Sequence, residues 1–173
     1  QRDAVQLLGG DVVIVSDQAT PAAFVQQAQA LGLQGVQMLA FPTMARAGDA
    51  EGGASRLVAL KSVAPGYPLR GRVETATAPD QSGAPTQGIP APGQAWVDAP
   101  LLGALGLTVG DALWLGDAKL TITRIITLEP DRGSGFMSFA PRVLMNEVDL
   151  AATALVQPAS RITWRWAVAG DAK

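Results

Sequence analysis

Ala112-Leu-Trp-Leu-Gly-Asp-Ala-Lys-Leu-Thr-Ile-Thr-Arg-Ile-Ile-Thr-Leu128 decides the fold class of this chain. Gly110-Asp111 and Gly116-Asp117 bracket the short apolar run Ala112 to Leu115. Two residues, Gly116-Asp117, then lead into a second β run from Lys119 to Leu128. A two-residue connection with glycine first is a hairpin signal, because glycine supplies the positive φ that the tight turn needs. The centre of the chain therefore reads as β structure. On its N-terminal side, Ala95 to Asp98 reads as a strand and Pro100 to Leu105 as a short helix capped by Gly106. On its C-terminal side, Glu129-Pro130-Asp131-Arg132-Gly133 is a turn, and Asn146 is placed to cap a helix running through Glu147 and Asp149 to Leu155. Arg161 to Val168 closes the pattern, with Ile162, Trp164, Trp166 and Val168 alternating with Arg161, Thr163 and Arg165. That is the period of a one-sided strand.

Toward the N-terminus the pattern is mixed. Asp3 to Leu8 reads as a short helix ended by Gly9-Gly10, and Asp11 to Ser16 (DVVIVS) as a buried strand. Thr20 offers an N-cap oxygen, Pro21 suits a first helical turn, and Phe24, Val25, Ala28 and Leu31 follow at helical spacing up to Gly32. Val36 to Ala45 is extended, with a break or edge expected at Phe41-Pro42, since proline gives a sheet no donor. Arg56 to Val63 is a further strand, with Lys61 expected to reach outward. After the turn Tyr67 to Gly71, Arg72 to Thr77 is a polar strand. Ala78 to Gln94 is a loop rich in proline and glycine, read either as a surface excursion or as a contact loop for a partner. The opening βα and closing αβ units can pair as halves of one layer, with the middle inserted as a mostly β part. The fold class is α+β.

Composition excludes several functions. With 48% hydrophobic and 16% charged residues the chain can bury a core, and a formal net charge of −2 with scattered basic residues gives no electrostatic footprint for nucleic acid. There is no cysteine and no histidine. Disulfides, thiolate metal sites, cysteine nucleophiles and a Ser-His-Asp arrangement are thereby excluded. No apolar run reaches the roughly 18 residues of a membrane helix. Gln1 and Lys173 do not look like natural ends, so any targeting or membrane segment is expected to lie outside this stretch.

The remaining candidates for chemistry are few. Lys61 beside Ser62 would form a dyad, but neighbours on a strand point to opposite faces. Glu129/Asp131 and Glu147/Asp149 are paired carboxylates placed at a turn and a helix start, where turn hydrogen bonds and the helix dipole stabilise acids without catalysis. The residues after Asp131 lack the alternating oxygens of a calcium loop. Gly106-Leu-Thr-Val-Gly110-Asp111 lacks the Gly-Lys-Ser/Thr ending of a phosphate loop. Trp96, Trp114, Trp164 and Trp166 could stack on a ligand, but core packing is the plainer reading. Met38-Leu39 with Phe41-Pro42-Thr43-Met44 is either core or a docking face. No catalytic, cofactor-binding or metal residue is assigned, and no cofactor is expected.

An ordered set of segments carries a family resemblance: Leu7-Leu8-Gly9-Gly10-Asp11-Val12-Val13, Phe41-Pro42-Thr43-Met44, Tyr67-Pro68-Leu69-Arg70-Gly71, Gly110-Asp111 with Leu115-Gly116, Glu129-Pro130-Asp131, and Pro141-Arg142-Val143-Leu144-Met145-Asn146. Together, from about Leu7 to Arg165, they resemble the first periplasmic domain of YbbP-like permeases, which are ABC transporter membrane subunits of the MacB/FtsX/LolC type. The resemblance implies a porter-like α/β subdomain from residues 1–66 and 141–173 and an inserted β-rich subdomain from 67–140 that contains the 78–94 loop. It also implies a place on the periplasmic face of the bacterial inner membrane. The expected role is to couple ATP-driven helix motion to export or extraction of a hydrophobic, lipid-like substrate, or to a periplasmic partner. Implied partners are a cytoplasmic ABC ATPase, a periplasmic lysophospholipase/thioesterase of SGNH type, and the second periplasmic domain of the same polypeptide. The alternatives are a stand-alone periplasmic lipid- or glycan-binding module, and an enzyme acting through its carboxylates.

Overall fold

A computed structural model describes residues 4–8, 11–16, 34–68, 72–129, 139–156 and 163–169, with side chains described from residue 38 to residue 156 within those ranges. The helix expected over 20–32 lies outside the described residues. Asp11–Ser16 is a strand as expected. Ala4–Leu8, expected as the body of a short helix, is a strand too. These are β2 and β1, paired antiparallel with Leu8 opposite Asp11. So short a helix would close too few hydrogen bonds to offset nucleation, whereas pairing with β2 satisfies the backbone along its whole length. Thr163–Ala169 (β11) lies between β2 and Gln34–Ala47 (β3), antiparallel to both, so the opening and closing strands do share one layer.

β3 runs unbroken through Phe41-Pro42, where a break or an edge was expected. The reason is local. Pro42 faces Ala59 of β4 (Ser55–Val63), and Ala59 sends its own N–H the other way, to the Pro141 carbonyl at 2.9 Å. This is a pair that exchanges no hydrogen bonds. On the other side of β3, the described residues of β11 pair up to Ala40, and pairing with β8 (Ala112–Leu115) starts at Ala45. Among the described residues the missing donor falls between two neighbours, a local edge of the kind expected.

Six strands close on themselves. From β3 the path runs to β4, then β10 (Arg142–Asn146), β7 (Gln94–Asp98), β9 (Ala118–Leu128), β8, and back to β3. Alternation sends Phe41, Ala45 and Ala47 of β3, Val58 and Leu60 of β4, Val143 and Met145 of β10, and Ala95 and Val97 of β7 into one core, joined by Leu113, Leu115, Leu120 and Ile122. The helix α1 (Ala99–Leu105) adds Leu101, Leu102 and Leu105 to this core and ends at left-handed Gly106, whose N–H reaches the Leu102 carbonyl. The expected hairpin through Gly116-Asp117 is the β8–β9 pair. The expected boundary at residues 67 and 141 passes through this ring, with three strands on each side.

One half of the ring carries a second layer. β5 (Val73–Ala76) pairs with β9, and β6 (Ala84–Thr86) pairs with β5, so the 78–94 segment contains a short strand. Met38, Val63, Tyr67, Val73, Trp96, Ile126 and Leu144 pack beneath this layer against Ile89. On the other half, Met44 and Leu57, directly opposite each other on β3 and β4, are 49% and 42% exposed. Asn146 caps a short 3-10 turn, Glu147–Asp149, by accepting the Val148 N–H at 3.0 Å, and α2 (Leu150–Thr153) follows.

The β8–β9 turn is seated on the end of α2. The Asp117 N–H donates to the Thr153 carbonyl at 2.9 Å, and Gly116 has a φ of 56°, with the position of a Cβ only 2.1 Å from the same carbonyl oxygen. Gly88 also has a positive φ, 83°, but open space around it. Gly116→Ala is therefore expected to lower unfolding stability by about 3 kcal/mol, combining left-handed strain with a backbone clash, and Gly88→Ala by about 1 kcal/mol from strain alone. Urea-unfolding midpoints of the two variants measure the difference.

Candidate functional site

Lys61, expected to reach into solvent, is only 2% exposed. It leaves β4 on the outer face of the ring, under the second layer, where an ammonium cannot remain unmatched. Its partner is Glu129, just past the end of β9, whose side chain has no exposed surface. Glu129, expected as a turn acid stabilised by turn hydrogen bonds, is thus a buried counter-ion. One of its oxygens accepts from Lys61 Nζ and from the Tyr67 hydroxyl, and the other accepts from Arg142 Nη1 at 3.1 Å. Arg142, at the start of β10, is held again from the far side. Its Nε and Nη2 donate to the two oxygens of Asp98 at 3.0 and 2.9 Å, and its backbone N–H donates to Asp98 Oδ2 at 2.7 Å. Asp98 is the last residue of β7 and the one preceding α1.

The four ions sum to zero charge, and they tie β4, β7 and β10 to the residue following β9. Burial opposes the Arg142 charge, but the hydrogen bonds and charges of Asp98 and Glu129 outweigh it, holding the guanidinium above its ordinary range. It stays cationic at any working pH.

An open cleft of about 480 Å³ lies on the Asp98–Arg142 end of this network. Its walls come from the end of β5 and the loop after it (Ala76, Pro79), from the start of α1 (Ala99, Pro100), from β9 (Ile125) and from Phe139, which is 87% exposed. The fold thus brings an ionic floor together with walls of mixed polarity, Gln81 and Thr127 among them, from segments far apart in sequence. Of this arrangement, sequence reasoning singled out Glu129 and Lys61, in other roles, and missed Asp98, Tyr67 and Arg142. The one available signal was an isolated Lys inside the apolar strand Leu57–Val63.

The other candidates disperse. Lys61 and Ser62 alternate across β4 and form no dyad. Asp131 lies outside the described residues. Glu147 is exposed, while Asp149 accepts the Gly93 N–H at 2.8 Å, pinning the end of the 78–94 segment. Asp111 Oδ2 accepts from Thr108 N at 2.9 Å, so that stretch is a turn. Trp96 is core, with Arg124 over its ring, and Trp114 is half-buried beneath Arg46 at 5.3 Å. The side chains of Trp164 and Trp166 are outside the described set. Phe41 points into the ring and Pro42 and Met44 point out, so the Phe-Pro-Thr-Met stretch divides between core and surface. No helix among the described residues is long and apolar enough to cross a membrane.

No family model matches the chain. The fold is shared with the extracellular domain of the noncanonic ABC-type transporter YknZ from Gram-positive bacteria, with a TM-score of 0.58 at 11% identity, covering 88% of this chain and 73% of that one. The likeness shows a shared fold. In sequence, 166 residues, 96% of this chain, are 34% identical to the uncharacterized ABC transporter permease YbbP of Escherichia coli K12, and the match spans 19% of that permease's length. The chain corresponds to one segment of a YbbP-like ABC transporter permease.

Breaking the network on one side leaves buried charge unmatched. Glu129→Leu is expected to cost about 3–5 kcal/mol, while the double change Lys61→Met with Glu129→Leu, which leaves the Arg142–Asp98 pair neutral, should recover at least half of that loss. A double-mutant cycle in urea measures the coupling.

Proposed function

We propose that this domain stands on the outer side of the cytoplasmic membrane and passes the movement of permease helices outward. The movement goes to a hydrophobic, lipid-like substrate or to a partner beyond the membrane. The observation that carries the reading is the match to a permease along nearly the whole chain. The ring supports it physically. Six strands closed around one apolar core leave no free edge along the closure, and buried ions brace the outer wall. Such a body transmits displacement with little internal deformation.

In this reading a cytoplasmic ABC ATPase supplies the energy, and the second periplasmic domain of the same polypeptide is the nearest neighbour. A periplasmic hydrolase of the lysophospholipase/thioesterase type is the proposed recipient. The division into a porter-like part from the chain ends and a β-rich part belongs to the same proposal. Because the 67 and 141 boundary would cut the ring, the seam is better placed within β3, near Pro42, where its outer neighbour changes from β11 to β8.

The chain contains no cysteine, which makes placement testable. A single Ser82→Cys or Thr121→Cys, both at exposed positions, in the full-length permease should react with a membrane-impermeant maleimide in cells whose outer membrane alone is permeabilised. Labelling that requires lysis of the inner membrane would reject the extracytoplasmic placement. In proteoliposomes with the ATPase, removal of the domain should leave ATP hydrolysis and abolish substrate release. Release undiminished by the deletion would reject the coupling role.

A further inference from the structure

Between β6 and β7 the chain crosses the outside of the ring as a narrow span. Thr86 is held in β6 opposite Val73. Gly93 is clamped twice: its carbonyl accepts the Thr121 N–H at 2.9 Å, and its N–H donates to Asp149 Oδ2 at 2.8 Å. Between these anchors the span closes one turn on its own end, the Gln94 N–H on the Ala91 carbonyl, and a single hydrogen bond ties it to the ring, from Asn146 Nδ2 to the Pro90 carbonyl at 3.0 Å. Pro90 and Pro92 have no N–H to offer. Gln87, Gly88, Ala91 and Pro92 are exposed, and only Ile89 and Pro90 turn toward the fold. Gly88 and Gly93 have φ of 83° and 82° with open space where a Cβ would stand, so the span can turn at both ends without a clash.

Ile89 packs on the outer cluster that holds Trp96, Leu144 and Val63. Asn146 and Leu144 share the outward face of β10, so the side chain that latches the span stands beside the cluster the span covers. Trp96 is 4% exposed, and its Nε1 is the one buried side-chain polar atom among the described residues without a hydrogen-bond partner. A buried donor with no acceptor costs free energy, and access to water relieves that cost. The closed form therefore gains the burial of Ile89 and one hydrogen bond while it keeps an indole N–H unsatisfied. Its minimum is shallow.

We infer that residues 87–92 form a strap that lifts as a unit, turning at Gly88 and Gly93 and releasing from Asn146, to uncover the apolar surface around Trp96 and Leu144. The proline- and glycine-rich stretch is then a movable cover, latched at one point. The opening is a property of this chain's own fold and does not rest on the transport role.

The chain has no cysteine, so one introduced thiol reports the opening. Leu144→Cys places it beneath the strap, and Val143→Cys, its neighbour on β10, places it in the ring core; the two positions are 1% and 0% exposed. With excess dithiobisnitrobenzoate under native conditions, Leu144→Cys should react more than about tenfold faster than Val143→Cys, because only global unfolding reaches the core. Its rate should stay nearly flat in urea below the unfolding transition, while that of Val143→Cys climbs steeply. Asn146→Ser keeps an oxygen for the Val148 N–H but is too short to reach the Pro90 carbonyl, and it should speed Leu144→Cys about fivefold. Gly116→Ala, which weakens the fold away from the strap, should speed Val143→Cys alone. The inference is overturned if Leu144→Cys reacts no faster than Val143→Cys, if its rate climbs as steeply with urea, if Asn146→Ser leaves it unchanged, or if Gly116→Ala speeds both equally. Val63→Cys, a change of similar volume in the same cluster on β4, is judged by the same outcomes and decides the matter if Leu144→Cys does not fold.

Discussion

A carboxylate with no exposed surface must find its counter-charges where it is buried. Much of this domain's outer wall is arranged around that requirement at Glu129. Lys61 reaches it from β4, Tyr67 from the turn beyond β4, and Arg142 from β10, and Arg142 in turn needs Asp98 at the end of β7. None of these groups is tolerable alone. Replacing such a set with hydrophobic residues of similar volume often costs nothing in stability. What the set contributes here is a fixed arrangement: it locks the order of strands along the wall and the seating of the second layer, which an apolar patch of the same area would leave freer to slide.

The ring supplies the complementary constraint. Its interior holds a large apolar cluster, so strand registers are set by which residues must point inward, and a slip of one residue would exchange Val58 and Leu60 for Ala59 and Lys61. The two devices act on opposite faces of the same strands. On β4, even-numbered Val58 and Leu60 face the core while Lys61 faces Glu129. On β10, Val143 and Met145 face the core while Arg142 and Leu144 face outward. A strand specified on both faces admits one register.

This double specification explains what could be read from the sequence. Features set by local chemistry were legible: the Gly116-Asp117 hairpin, the Gly106 cap on α1, and the Asn146 cap, each needing one or two residues with special backbone or side-chain properties. Ala4–Leu8 was misread because its partner, β2, decides its conformation; yet Gly9-Gly10, which joins them, is the two-residue connection that also marks β8–β9. Pro42 was read as a break or an edge, and which of the two it is depends on where β11 and β8 pair with β3, a tertiary fact. Lys61 and Glu129 are 68 residues apart, and Asp98 and Arg142 are 44 apart. No local pattern pairs such residues, so the site was legible only as individually ordinary acids and bases.

The distribution of surface chemistry bears on how such a domain can transmit movement. One half of the ring is sealed beneath β5, β6 and the segment up to Gly93, and it holds the ion network and the cleft. The other half presents Met44 and Leu57 to solvent, with Trp114 under Arg46 beside them. β3 belongs to both the ring and the layer formed by the chain-end strands, so one strand joins the two. The cleft does not lie along β3. It lies where β7 ends, α1 begins and β10 starts, at the point where Asp98 grips both the backbone and the guanidinium of Arg142. From β3 the structure is continuous to that point by way of β4 and β10, through close-packed side chains on the inner face and charge-assisted hydrogen bonds on the outer one. The proposed coupling role asks for such a packed path, because close-packed interiors yield little under load.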